Sequence, residues 1–337
     1  MTKISNDTRY GYAIGQVRVR EGLLFDRNRY EQLIAAENEE HFLRILANSP
    51  YSQFPKSNVE EILNDAHNEN FLFLRKYCRD KSVLDLFSFQ EDLHNLKLFI
   101  KAKIGQAPSP ELYLSPFGTI SIPVLNALSE AFVRKETDLL STIGIEDFWR
   151  TAILKAKTVY ETTNEPKLLD CELDKATLGH LCELAKVNDF LYGYFQKKVD
   201  LTNIEILLRI RFFQDKESLL TEALIPGGTI ELDFLKELFF DLIERISEKF
   251  ALTQYGTVVA DGMNYLINNK SFIRFERLAT EHLLSFLSKA RFFTFGYEPL
   301  IGYFLFKENE IKNLRKLFQG LRMRVNKEML RETIAYV

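Results

Sequence analysis

Apolar residues recur along this chain at helical spacing, and the clearest runs come in three related copies. The first is Asp92-Leu93-His94-Asn95-Leu96-Lys97, continued through Ile100. The second is Asp200-Leu201-Thr202-Asn203-Ile204-Glu205, continued through Leu208. The third and loosest is Glu310-Ile311-Lys312-Asn313-Leu314-Arg315, continued through Phe318. In each, apolar side chains fall at i, i+3 and i+7, which lines one face of a helix with 3.6 residues per turn. The shared pattern is acid, aliphatic, any residue, Asn, aliphatic. The copies lie 108 and 110 residues apart, close to a third of the 337-residue chain, and this predicts a triplicated helical module.

Each copy reads as the start of a helix. Asp92 and Asp200 then suit the N-cap, where a carboxylate accepts a backbone N–H and favours the positive end of the helix dipole. Glu310 is a poorer cap. Asn95, Asn203 and Asn313 fall one turn further on, where a short amide bridges to a neighbouring helix or satisfies a buried backbone group. The competing reading makes these Asn residues direct partner contacts.

A second repeat marks the joints between modules. Pro116-Phe117-Gly118-Thr119-Ile120 is answered 110 residues later by Pro226-Gly227-Gly228-Thr229-Ile230. Proline with glycine is turn chemistry, and Thr119 and Thr229 read as entries into the next helix. Pro108, Pro110 and Pro123 cluster around the first joint. Boundaries near 108–115 and 218–225 divide the chain into helical repeats at 1–110, 111–220 and 221–337. Proline-poor, periodic stretches predict further helices over 27–36, 39–46, 59–76, 124–134, 145–160, 168–198, 232–250, 258–267, 272–292 and 309–320, with a last one from Lys327. Val258-Val259 and Ile120-Ser121-Ile122 are too short to build a sheet. The expected fold class is all-α, with three tandem similar domains.

Charge narrows the partners. Lys plus Arg number 44 against 47 Asp plus Glu, for a net charge of −3. Broad nucleic-acid binding needs a basic surface to displace counterions, so it is not expected. Cys78, Cys171 and Cys182 have no close pairing, which makes a reducing cytosol the default. The opening Met1–Asp7 has no apolar core and does not read as a signal peptide. The most apolar stretch, 292–306, holds Glu298 and Pro299 and falls short of the ~20 residues a membrane span needs.

Candidate chemistry is sparse. His180-Leu181-Cys182 is the nearest approach to a metal site, and one such pair reads as two side chains of a core helix. Phosphate-binding loops, the dinucleotide fingerprint and the hydrolase nucleophile elbow are absent from the sequence. Acidic pairs such as Glu39-Glu40, Glu60-Glu61 and Glu91-Asp92 occupy adjacent helical positions, which do not face one another. No catalytic residue, cofactor or metal is expected. Basic residues trail each repeated helix: Lys101 and Lys103, Arg209 and Arg211, Arg322 and Arg324. They complement the helix dipole, or they form three basic points around a pseudo-threefold axis that meet an acidic partner.

Taken in order, the Tyr10–Arg20 block with Arg18 and Arg20, the Asp92–Lys97 motif, the two Pro-x-Gly-Thr-Ile joints, and Glu310–Arg315 followed by Glu328, Leu330 and Arg331 resemble the C subunit of bacterial and archaeal V/A-type rotary ATPases. That family is related to the d subunit of the eukaryotic enzyme, and the resemblance spans essentially the whole chain. Glu310 for Asp, and Glu205 where the first copy has Lys97, depart from strict repetition. The resemblance implies a funnel of three similar helical domains about a pseudo-threefold axis, on the cytoplasmic side of a membrane rotor ring. It implies a central shaft of D and F subunits seated in that funnel, and a non-catalytic socket that carries torque between ATP turnover and transport of protons or sodium ions. A free-standing soluble all-α adaptor built from repeats is the alternative, and an all-α enzyme a distant third.

Overall fold

The computed structural model describes residues 7–105, 110–134, 143–213 and 217–336. The first six residues and Pro108, which the sequence places at a joint, lie outside the described residues. Among the described residues all regular structure is helical, with sixteen α-helices, short 3-10 turns and no strand. The chain divides into two compact units.

The first unit joins the two ends of the chain, residues 1–79 and 240–337. Its N-terminal part holds α1 (Gly11–Glu21), α2 (Arg27–Ala35), α3 (Glu39–Ala47) and α4 (Val59–Tyr77). Its C-terminal part holds α12 (Ile246–Phe250), α13 (Gly256–Asn269), α14 (Ile273–Ser288), α15 (Glu298–Arg322) and α16 (Lys327–Thr333). Side-chain caps set several of these starts: Asp26 accepts from the Arg29 amide, Asn38 from His41, Asn58 from Glu60 and Asn326 from Glu328. Such caps satisfy donors that the first turn cannot pair internally. The core gathers around α15. Ile311, Leu314, Leu317 and Phe318 are buried against Leu33, Phe42 and Leu63 of α2, α3 and α4.

The second unit spans residues 80–239. It contains α5 (Lys81–Lys103), α6 (Ile122–Val133), α7 (Asp147–Thr163), α8 (Pro166–Leu184), α9 (Asp189–Phe212), α10 (Glu217–Ala223) and α11 (Leu232–Leu238). Here α5 packs on α6 and α8, and α9 packs on α8, α10 and α11. Trp149 of α7 is buried in a stack with Phe89 of α5, the ring centroids 4.4 Å apart. Lys157 is buried too. Its ammonium donates to the Ala131 carbonyl at 3.1 Å and to the Arg134 carbonyl, neutralising the C-terminal end of α6.

The two units share a packing rule. α4 and α8 have 19 residues each and start 107 positions apart. α15 packs on α4 in the first unit, and α5 packs on α8 in the second. Matching polar pairs line both contacts. Arg315 of α15 meets Glu60 at 3.2 Å, while Lys97 and Lys101 of α5 meet Asp174 at 2.5 Å and Asp170 at 2.6 Å.

Several expectations need correction. The repeated motif does not start its helix: α5 begins at Lys81, α9 at Asp189 and α15 at Glu298, so the motif lies mid-helix. The predicted helix over 168–198 is two helices. The 3-10 turn Ala185–Val187 divides them, and Asn188 accepts from the Leu191 amide to start α9. The predicted helix over 232–250 is interrupted between Leu238 and Ile246.

Candidate functional site

The mid-helix placement of the motif determines what its polar residues do. A carboxylate inside a helix finds the backbone donors of its own helix already paired, so it must look elsewhere. Asp92 turns to the entry of α6. Its Oδ1 accepts from the amides of Thr119 at 2.6 Å and Ile120 at 2.8 Å, and its Oδ2 from the Thr119 hydroxyl at 2.7 Å. Asp200 repeats this at the entry of α11. Its carboxylate accepts from the Thr229 amide at 2.8 Å, the Ile230 amide at 3.0 Å and the Thr229 hydroxyl at 2.5 Å. These aspartates are caps, as their residue type suggests, but they serve the next helix rather than their own.

One turn along, the Asn residues hold the start of each joint. Asn95 donates to the Ser115 carbonyl at 3.0 Å and accepts from the Ser115 amide at 2.9 Å. Asn203 does the same with Ile225, both distances 2.8 Å. Asp92, Asn95, Asp200 and Asn203 are all buried. Burial pushes the Asp92 carboxyl above its ordinary range despite the opposing pull of its Ile120 and Thr119 donors. Each joint is thus pinned at two points by one helix face.

The joint glycines follow from this clasp. A Cβ on Gly118 would stand 2.6 Å from Asp92 Oδ1, and one on Gly228 would stand 2.1 Å from Asp200 Oδ1. Gly227 has a separate reason, a φ of +103° in the left-handed region.

The third copy uses the same positions, and two of the Glu310 partners, Phe25 and Tyr51, come from a distant part of the sequence. Glu310 accepts from the Phe25 amide at 2.5 Å, the Tyr51 hydroxyl at 2.8 Å and the Lys307 ammonium at 2.6 Å. Asn313 donates to the Ala335 carbonyl at 2.9 Å. α2 begins two residues after Phe25, as α6 begins two after Ile120 and α11 two after Ile230. Lys307 and Glu310 are both buried, and the Lys307 ammonium lies 4.1 Å from the centre of the Tyr51 ring. Burial and the Glu310 charge push the Tyr51 hydroxyl well up. Sequence reasoning missed Phe25, Tyr51 and Lys307. Of these only Lys307 left a signal, a cation three residues before Glu310 and so on the same helix face.

The six basic residues singled out in the sequence have local surroundings of their own. Lys101 pairs with Asp170 at 2.6 Å, Lys103 with Glu130 at 3.5 Å, and Arg209 with Glu205 at 2.7 Å. The Arg211 guanidinium lies over the Phe239 ring at 5.2 Å. Arg322 approaches Glu39 at 3.4 Å, and Arg324 takes a left-handed φ of 55° just past the end of α15. Lys101, Lys103, Arg209, Arg211 and Arg322 fall in the last turns of their helices.

His180 and Cys182 point to different neighbours. The imidazole stacks on Phe148 at 4.2 Å, and the Cys182 thiol donates to the Gly227 carbonyl at 3.3 Å, with burial pushing that thiol up to about 11. Among the described residues no group of three His, Cys, Asp or Glu side chains is placed to hold a metal ion. No helix among them is long and apolar enough to cross a membrane.

Comparison with known proteins agrees along the chain. The profile of the ATP synthase (C/AC39) subunit family matches residues 13–333. The C subunit of the A-type ATP synthase of Methanocaldococcus jannaschii is 24% identical, over 92% of this chain and 82% of its own length. That of Thermococcus onnurineus is 25% identical over 97% and 90%. The C subunit of the V-type sodium ATPase of Enterococcus hirae is 23% identical over 95% and 96%. With its helical architecture and a match that runs from α1 into α16, this chain belongs to the ATP synthase (C/AC39) subunit family.

Proposed function

We propose that this chain is a non-catalytic central-stalk subunit of a V/A-type rotary ATPase or ATP synthase. In this reading it is a socket that joins the central shaft of D and F subunits to the membrane rotor ring. It carries torque between ATP turnover and ion transport, at the cytoplasmic face and without a membrane span of its own. Three tandem repeats, near 1–110, 111–220 and 221–337, form the socket about a pseudo-threefold axis.

The observation that carries this reading, beyond family membership, is the set of buried clasps on α5, α9 and α15. A torque-bearing part must hold its helices in fixed register. A carboxylate with several donors, set beside a buried amide side chain, does so through charge-assisted bonds worth about 1.5–3 kcal/mol each. The relatives are named as C subunits of an A-type ATP synthase and of a V-type sodium ATPase, which supplies the assembly. The candidate partner contacts are Lys101, Lys103, Arg209, Arg211, Arg322 and Arg324.

Removal of this subunit from the assembled complex tests the role. ATP-driven ion pumping is expected to stop while the detached head continues to hydrolyse ATP. Intact pumping, or loss of hydrolysis by the isolated head, would overturn the coupling role. Co-purification of the chain without shaft or ring subunits would favour a free-standing adaptor instead.

A further inference from the structure

In the first two joints the clasped segments are neighbours in sequence. Ser115 and Ile120 are five residues apart, as are Ile225 and Ile230. At the third, the residue held by Asn313 is Ala335 and the residue held by Glu310 is Phe25, from opposite ends of the chain. The positions on the clasping helix are unchanged, and so is the two-residue interval to the helix that follows. The third joint therefore repeats the other two without a short stretch of chain between the segments it holds.

We propose that this third joint is a non-covalent latch, and that the helical assembly opens there first. Holding two neighbouring segments on one helix costs little extra chain entropy, because closing a short loop is cheap. Holding two segments with no short connection means that release of one does not drag the other against its tether. The substitutions at the third joint offset that loss. Glu310 has one methylene more than Asp92 and Asp200, and it gathers the Tyr51 hydroxyl and the buried Lys307 ammonium besides the Phe25 amide. The moving part is also defined. α16 is tied to α2 by Arg331 to Glu31 at 2.9 Å and by Lys327 to the Ala35 carbonyl at 3.3 Å. α16 is also fixed to α15 by Lys316, which donates to the Thr333 carbonyl at 3.0 Å, and to α14 by Arg274 and Arg277 on Glu332, so the latch opens by lifting the tail from 334 onward out of the Asn313 seat and the Phe25 turn out of the Glu310 seat.

Amide hydrogen exchange on the intact chain, resolved to single residues, tests this. Phe25, Ile334 and Ala335 are expected to exchange at least about tenfold faster than Thr119, Ile120, Thr229 and Ile230 under native conditions. Tyr51→Phe is expected to accelerate the Phe25 and Ala335 amides further and leave the Asp92 and Asp200 joints unchanged. Equal or slower exchange at the third joint in the native chain overturns the proposal, as does a Tyr51→Phe effect spread over all three joints.

A circular permutant gives a second measurement. A Gly/Ser linker of about 15 residues joins Val337 to Met1, and new ends are opened between Pro116 and Phe117. Such a linker reaches about 20 Å. The permutant is expected to fold, with rapid exchange appearing at Thr119 and Ile120. A folded permutant in which those two amides stay as slow as in the native chain overturns the equivalence of the joints. Should the permutant not fold, the native-chain ordering alone decides.

Discussion

Asn203 and Ile225 exchange two hydrogen bonds of 2.8 Å across 22 residues of chain. The amide side chain replaces the strand or helix neighbour that the Ile225 backbone would otherwise lack. Asn203 is fully buried and Ile225 nearly so, which leaves neither backbone group an alternative in water.

Asn203→Leu therefore strands one donor and one acceptor. At about 1–3 kcal/mol for each buried group left unpaired, the expected loss is about 2–6 kcal/mol. Chemical denaturation monitored by circular dichroism measures it. Asn203→Asp, which keeps the acceptor and loses the donor, should show a different loss that depends on pH. An unchanged midpoint for Asn203→Leu would remove the amide from the fold's support.

Gly228→Ala should destabilise more than Gly118→Ala, because the added carbon stands 2.1 Å from a carboxylate oxygen in one case and 2.6 Å in the other. The two Asp side chains cannot step back without breaking their bonds to the joint. Pairing Gly228→Ala with Asp200→Ala should therefore cost less than the sum of the single changes. A double-mutant cycle in thermal denaturation checks this, and strict additivity would contradict the contact.

Glu310→Gln leaves the Lys307 ammonium buried without its counter-charge. Breaking one side of a buried pair costs about 3–5 kcal/mol. Joint replacement by Glu310→Gln with Lys307→Met should recover much of that loss, since no unpaired charge remains. Urea titration of the three variants separates the outcomes. Equal losses for the single and double variants would show that the pair itself is of little consequence.

Acid should loosen the C-terminal helix. Arg274 donates two bonds to Glu332 at 2.6 and 2.9 Å, and Arg277 adds one at 3.2 Å. The Arg274 bonds, chiefly, hold the Glu332 carboxyl below its ordinary 4.5. A carboxyl depressed on folding stabilises the fold above its unfolded value, and that stabilisation is lost as pH falls through the folded value. α16 should therefore fray below about pH 4.5, seen as faster exchange over 327–333, and Glu332→Gln should fray at neutral pH already. A Glu332→Gln variant as well protected as the native chain would exclude this contribution.

Much of this architecture is legible in the sequence. The i, i+3, i+7 rows of Leu93, Leu201 and Ile311 give the long helices, and the Thr119 and Thr229 joints give the entries to the next ones. Two kinds of error recur, each with a physical cause. A cap signal records residue type and so assigns Asp92 to its own helix, whereas the amides it serves lie 27 and 28 residues onward. The break at Asn188 hides in a proline-free run, where a single Asn side chain is enough to start a new helix. The third clasp is beyond reach for another reason. Its partners Phe25 and Tyr51 lie 285 and 259 residues from Glu310, and no periodicity links positions so remote.

The seating of Ile334 and Ala335 among core side chains has a practical side. A fluorophore or cross-linker attached at either position would displace the core packing it was meant to report. Leu252, whose side chain projects fully into solvent, is the quieter attachment point.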